Sequence, residues 1–135
     1  MLVRTARTMP PDSSSLTAMN EIQILKKFAE KFVRKKFRER FVHEALKRPK
    51  DLHRRICHEI LTVFSEAYEN QKISFDNKDK CLFLNWSEPI YPTTWKEAKE
   101  VMSSGGGGYL VIKADGSGFY AETEAYPAKI YAGSS

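Results

Sequence analysis

The chain has 135 residues, of which 41% are hydrophobic and 29% are charged, and it carries a formal net charge of +5. This length suits one domain, and the apolar content excludes a chain that is disordered throughout. No apolar run approaches the roughly 20 residues of a membrane-spanning helix, so we expect no membrane segment. Two cysteines, Cys57 and Cys81, are too few for a disulfide scaffold and favour a reducing, cytoplasmic setting.

The first 19 residues are predicted to form a flexible tail. They combine Arg4 and Arg7 with a cluster of Pro and Ser, and they lack the apolar core of a secretory signal. A helix is predicted to begin at Asn20, a residue type favoured at helix N-caps, with Gln23 at the reciprocal capping position. Residues 20–135 are therefore predicted to form a single domain.

The first predicted helix covers about residues 20–47, and its apolar pattern changes phase near Lys35. In its first half the apolar side chains share one face, but Lys36 and Arg40 fall where that face should continue. We interpret the pattern as one long helix that another element crosses obliquely along the i, i+4 row formed by Leu25, Ala29, Val33, Phe37, Phe41 and Ala45. The alternatives are a bend near Lys35 and burial of the second half against another subunit, which would make the protein a homo-oligomer.

Most of the positive charge lies in the same region. Residues 26–55 contain thirteen Lys or Arg against four acidic residues, a local charge of +9, whereas the rest of the chain sums to −4. A concentrated positive face is typical of proteins that bind a polyanion. We predict that nucleic acid, or else an acidic protein, is bound by Arg34, Lys35, Lys36, Arg38, Arg40, Arg54 and Arg55. The competing interpretation is a solvated helix face whose Lys and Arg stems cover apolar surface.

A second helix is predicted over about residues 49–70, and its short link to the first helix predicts a helical hairpin. On its apolar face, His53 and Cys57 lie four residues apart, a spacing that can bind a metal ion. Their apolar neighbours favour a packed histidine and a buried thiol instead, and His58 is predicted to project to the opposite, polar side. The sequence therefore predicts no metal site and no cofactor.

The second half of the chain, about residues 72–132, is predicted to form a mostly antiparallel sheet of four or five strands. Strand patterns occur at 72–76, 81–84, 109–113, 119–123 and 128–131, and the proline-containing segment 85–92 is predicted to be a loop. The capping box from Thr94 to Glu97 predicts a short inserted helix over about 94–103. Helices followed by such a sheet define the α+β class.

A run of four glycines at 105–108 follows the inserted helix. Phosphate-binding glycine loops usually follow a strand and open a helix, so that the helix N-terminus meets the anion. Here the order is helix, glycines and strand. The run is therefore predicted to end the helix and to form a flexible turn.

Three aromatic residues, Trp86, Tyr91 and Trp95, bracket the proline-containing loop. These residues either pack in the core or bind a partner protein. In the second case the chain would be a protein-interaction or regulatory module that uses this loop or the helix face. An enzyme is the third hypothesis, and it is not favoured. The sequence contains no paired carboxylates, nucleophile motif or ligand cluster at a characteristic spacing.

Overall fold

The computed structural model describes residues 13–85, 88–105, 107–124 and 127–135. Within these ranges the helices are α1 (Ser13–Phe32), α2 (Arg38–Lys47), α3 (Pro49–His58), α4 (Ile60–Val63) and α5 (Trp95–Ser103). The strands are β1 (Lys80–Leu84), β2 (Tyr91–Thr94), β3 (Tyr109–Lys113), β4 (Gly118–Glu122) and β5 (Ile130–Ser134). The predicted α+β class, with an N-terminal helical hairpin packed on an antiparallel sheet, is confirmed.

All five described strands form one antiparallel sheet in the order β2-β1-β3-β4-β5. The predicted hairpin of β3 and β4 is confirmed, and its turn is closed by the Gly116 N–H, which donates to the Lys113 carbonyl at 2.8 Å. The Asp115 carboxylate also accepts from the Ser117 N–H at 2.9 Å. Each of these bonds satisfies a backbone N–H in the turn, where no partner strand is available to accept it.

Two strand predictions are wrong. Residues 72–76 form no strand, although Phe75 packs against the smaller core, where its ring stacks on that of Trp95 at a centroid distance of 4.2 Å. Conversely, β2 begins inside the predicted loop 85–92 and pairs with β1. Pro92 is compatible with this position because β2 is an edge strand, in which alternate N–H groups face solvent and not a partner strand.

The two faces of the sheet pack in two separate cores, so the molecule has three layers. The larger core lies between the sheet and α1–α4. There the Phe28 ring packs at centroid distances of 5.3 to 6.1 Å from the rings of Phe32, Phe41, Phe64 and Phe119. The smaller core lies under α5 on the other face. Alternation along β1 and β3 divides their side chains between the cores, as the period of two requires.

The predicted long helix over 20–47 is wrong, because the chain leaves the helix after Phe32. Arg34 is extended, with φ −54° and ψ 137°, and a short 3₁₀ turn (Lys35–Phe37) precedes α2. The Arg34 N–H donates to the Val63 carbonyl at 2.9 Å, and Val33 bridges to Phe64. The structure thus confirms the alternative of a bend near Lys35.

This break explains the phase change in the sequence. On a straight helix an i, i+4 row drifts by about 40° at each step, so the six residues of the row would sweep about 200° around the axis. The break resets the phase, and all six members are buried in one core: Leu25, Ala29, Val33, Phe37, Phe41 and Ala45. Both halves of the segment therefore bury their apolar side chains in the larger core.

The second predicted helix, over 49–70, also ends early. α3 stops at Glu59, which has φ −136° and ψ 41°, and α4 is followed by Phe64 in an extended conformation. A 3₁₀ turn (Glu66–Tyr68) completes the segment. The bridge between Phe64 and Val33 requires the extended backbone, so tertiary pairing overrides the helical pattern.

At the N-terminus, α1 begins at Ser13 and not at Asn20. Asn20 therefore lies inside the helix and is not its N-cap, and the predicted tail is helical over its last residues. Residues 1–12 lie outside the described part of the chain.

The start of the inserted helix is confirmed, because the Thr94 hydroxyl accepts from the Glu97 N–H at 3.3 Å.

Candidate functional site: a basic surface on the helical layer

The helical hairpin forms a wide polar groove between α2 and α3. Its volume is about 930 Å³, and we call it the interhelix groove. Cations and acids both line it: Lys35, Lys36, Glu39, Arg40, His43, Glu44, Arg48, Asp51, Arg54 and Arg55. Five of the seven predicted binding residues thus meet in one place, although they come from the 3₁₀ turn, from α2 and from α3.

A second groove lies where the break between α1 and α2 meets the 3₁₀ turn after α4. This junction groove has a volume of about 500 Å³ and is lined by Lys31, Phe32, Val33, Arg34, Lys35, Lys36, Arg38, Ser65 and Tyr68. It contains the two remaining predicted residues, Arg34 and Arg38. None of the described residues that line it is acidic.

Lys35 and Lys36 line both grooves, so the grooves form one continuous surface. We call it the basic surface and define it by its nine cations: Lys31, Arg34, Lys35, Lys36, Arg38, Arg40, Arg48, Arg54 and Arg55. The sequence prediction missed Lys31 and Arg48. Both lie in the stretch with a charge of +9, but their place on this surface depends on the helix break and on the packing of α2 against α3.

A buried ion pair lies at the floor of the interhelix groove. The Glu44 side chain is 2% exposed, and both of its carboxylate oxygens accept from Arg55 Nε, at 3.0 and 3.2 Å. This hydrogen bond raises the pKa of Arg55 above its ordinary value. The Arg55 guanidinium also lies 4.9 Å from the centre of the Phe37 ring. Arg55 therefore joins α2 to α3, and its main role is structural.

The cations of the basic surface differ in how far local acids neutralise them. At the N-terminal end of α3, Arg48 pairs with Asp51 at 2.6 Å, and at its C-terminal end Arg54 pairs with Glu59 at 2.5 Å. In contrast, Lys35 and Lys36 are exposed and form no ion pair with any residue that the structure describes. The positive charge that remains for a ligand is therefore concentrated at the turn between α1 and α2.

Two other cations of this turn are tied to the backbone. Arg34 Nε donates to the Leu61 carbonyl at 2.5 Å, and Arg38 Nε donates to the Val33 carbonyl at 3.0 Å. Both bonds hold the helix break in place. An arginine used in this way still presents its remaining N–H donors and its charge to a ligand.

The aromatic residues proposed as an alternative partner site lie on the other side of the sheet. Trp95 stacks on Phe75 and meets Tyr120 edge to face at 5.8 Å, while Tyr91 packs against Phe83 at 5.7 Å. Tyr91 and Trp95 thus pack against the smaller core, as the simpler interpretation expected. Trp86 lies outside the described residues.

A second group of polar side chains gathers at the C-terminal end of α3. The Cys57 thiol, a ring nitrogen of His58 and the Glu124 carboxylate lie within 4.8 Å of one another. His58 is exposed, as predicted for the polar side of α3, but the prediction that it lies away from Cys57 is wrong. Glu124 is far away in the sequence, so no spacing rule could have included it.

Burial controls the chemistry of this second group. It raises the pKa of the Cys57 thiol to about 11, which keeps the free thiol protonated near neutral pH and argues against a nucleophilic cysteine. Burial also lowers the pKa of His53, whose ring nitrogens lie 3.6 and 3.7 Å from the Cys57 sulfur. Both Cys57 and Cys81 are free and buried.

None of the described helices is both long and apolar enough to cross a bilayer. Comparison of the chain with protein-family models, with curated proteins and with solved structures found no match. The function must therefore be inferred from the surface itself.

Proposed function

We propose that the protein binds nucleic acid through the basic surface, as a non-enzymatic binding module. The observation that carries this proposal is the continuity of the two grooves through Lys35 and Lys36. Together they line a path that an extended polyanion can follow, and the cations least neutralised by local acids, Lys35 and Lys36, lie where the two grooves meet. Nucleic acid is such a polyanion, since its phosphates recur along the whole backbone.

The character of the grooves supports backbone contacts more than base recognition. Lys and Arg side chains dominate the junction groove, and they neutralise phosphates without regard to sequence. We therefore expect binding that is largely independent of base sequence and weakens as salt is added. This role agrees with the cytoplasmic setting that the cysteine content favours.

Equilibrium binding of labelled single-stranded and double-stranded oligonucleotides tests the proposal. The test variant removes three exposed cations that make no hydrogen bond to the backbone break, and it is Lys35→Gln/Lys36→Gln/Arg40→Gln. We expect its affinity at low salt to fall by about tenfold to a hundredfold, because three phosphate contacts are lost. Arg55 is unsuitable for this test, since its loss would disturb the pair with Glu44.

A matched control removes the same charge from exposed lysines outside the basic surface, as Lys72→Gln/Lys78→Gln/Lys96→Gln. This control should bind like the wild-type chain, because the proposal depends on the position of the charge and not on the net charge alone. Equal loss in both variants, or no binding by the wild-type chain at low salt, would refute the proposal. The basic surface would then be a solvated helix face.

A further inference from the structure

We propose that Cys57, His58 and Glu124 form a binding site for a divalent transition-metal ion, with Zn²⁺ as the ion that best suits these ligands. Thiolate sulfur, imidazole nitrogen and carboxylate oxygen are the three ligand types that Zn²⁺ takes in proteins. A soft thiolate disfavours Mg²⁺ and Ca²⁺, which prefer oxygen alone. None of the three ligands belongs to the basic surface, although Arg54 lines both the interhelix groove and the cleft at this site, and the inference does not rest on the proposed function.

The ligand atoms already lie close to the arrangement that a metal ion requires. His58 Nε2 and Glu124 Oε1 are 3.0 Å apart, and each group lies within 4.8 Å of the other two. Ligand atoms around a tetrahedral Zn²⁺ are about 3.3 to 3.6 Å apart. The side chains of His58 and Glu124 are 58% and 47% exposed, so each can turn to close the small difference.

The backbone holds the ligands together independently of any ion. The Glu124 N–H donates to the Cys57 carbonyl at 3.3 Å, which ties the end of β4 to the end of α3. Cys57 is 4% exposed and cannot move far. The fold therefore provides one fixed ligand and two adjustable ligands, and the entropic cost of assembling the site is small.

His53 is placed to support the thiolate. Its two ring nitrogens lie 3.6 and 3.7 Å from the Cys57 sulfur, and the residue is one helical turn earlier in α3. Gly108 closes over the same two side chains, and a Cβ atom there would lie 2.3 Å from Cys57 Sγ. Groups that surround a metal ligand in this way fix its orientation.

The site opens to solvent through a cleft of about 230 Å³, which is lined by Lys50, His53, Arg54, Cys57, His58 and Glu124. Three protein ligands leave a fourth position for water in this cleft. When the metal binds, the Cys57 thiol releases its proton to solvent and coordinates as the thiolate. The ion would join α3 to the chain after β4, and so the helical layer to the sheet.

Titration of the chelator-treated full chain with Co²⁺, followed by displacement with Zn²⁺, tests the proposal. We expect one equivalent to bind, with a thiolate-to-cobalt charge-transfer band in the near ultraviolet and d–d bands in the visible range. The variants His58→Asn and Glu124→Gln should weaken binding by about tenfold or more. Both change exposed side chains, so they are not expected to impair folding.

The source of the sulfur ligand is tested by a matched pair of cysteine variants. Cys57→Ala should lose the charge-transfer band, whereas Cys81→Ala should retain it, and His43→Asn controls for the loss of a histidine elsewhere. Circular dichroism verifies that each variant is folded. The proposal is overturned if the wild-type chain binds no metal at one equivalent, if the band depends on Cys81, or if all variants bind equally.

Discussion

Gly105 and Gly108, at the two ends of the glycine run after α5, need to be glycine for different reasons. Gly105 has φ +96°, and a Cβ atom there would meet nothing within 4 Å. Gly108 has φ +77° and is buried, and a Cβ atom there would also lie 2.8 Å from His53 Nε2. The run therefore ends the helix, as predicted, but its last residue is also a packing site against α3.

We predict that Gly108→Ala lowers the free energy of unfolding by about 3 kcal/mol or more, because backbone strain and overpacking add. Gly105→Ala introduces only the backbone strain and should lower the free energy of unfolding by about 1 kcal/mol. Urea denaturation of the two variants measures this difference. Equal losses would show that the close approach to Cys57 and His53 carries no energetic weight.

The Cys81 thiol is predicted to be unreactive in the folded protein. Cys81 is 1% exposed, and burial raises its pKa to about 12, with the negative charge of Asp79 adding to the effect. The thiol of the folded chain therefore stays protonated at pH values well above its ordinary pKa of 9.0, and little thiolate exists at neutral pH. A Cys57→Ala chain should react with a thiol reagent only as fast as it unfolds. Rapid reaction without denaturant would contradict the burial of Cys81.

At the scale of elements, the buried pair of Glu44 and Arg55 determines how α2 and α3 pack. Arg55→Met would leave the Glu44 carboxylate buried without its main partner, since Arg40 lies farther away, at 3.9 Å. We predict a loss of about 3 kcal/mol in the free energy of unfolding. Replacing both partners, as Glu44→Leu/Arg55→Met, should recover much of this loss, because no charge then remains buried.

The four chains of this double-mutant cycle are compared by chemical denaturation. A clear coupling energy between the two positions is the expected result. Additive losses would mean that the pair makes no net contribution to the packing of the hairpin. Lys35 and Lys36 provide the control, because both are exposed and removing either cation should change stability little.

How far the sequence predicts these elements depends on the range of the interactions that define them. The Thr94 cap and the turn at Asp115 are local, and both the short helix and the hairpin were predicted correctly. The break at Arg34 depends on a bond to Val63, far along the chain, and only the phase change near Lys35 indicated it. The end of the second helix has the same cause, since Phe64 must be extended to pair with Val33.

The candidate site follows the same rule. Seven of the nine cations of the basic surface could be predicted because they form one dense stretch of charge. Their division between two grooves, and the use of Arg55 to bury Glu44, could not be predicted, because both follow from the packing of α2 and α3. Glu124 joins Cys57 only through the register of the folded sheet against α3.

At the scale of the whole molecule, positive charge is concentrated in one part of the helical layer. Residues 26–55 carry a charge of +9, residues 56–70 carry −3, and residues 71–135, which hold the sheet and α5, carry −1. A polyanion is therefore attracted to the first of these segments and not to the nearly neutral sheet half, so the field orients the ligand before contact is made. Binding should therefore be sensitive to where charge is removed.

The most direct test is the salt dependence of oligonucleotide binding by the wild-type chain, the Lys35/Lys36/Arg40 variant and the Lys72/Lys78/Lys96 control. If the three cations of the basic surface each contact a phosphate, the slope of log K against log salt should become shallower by about 2 to 3 in the first variant. The control should keep the wild-type slope. Identical slopes in all three chains, or a wild-type chain that does not bind at low salt, would contradict a nucleic-acid site on the basic surface.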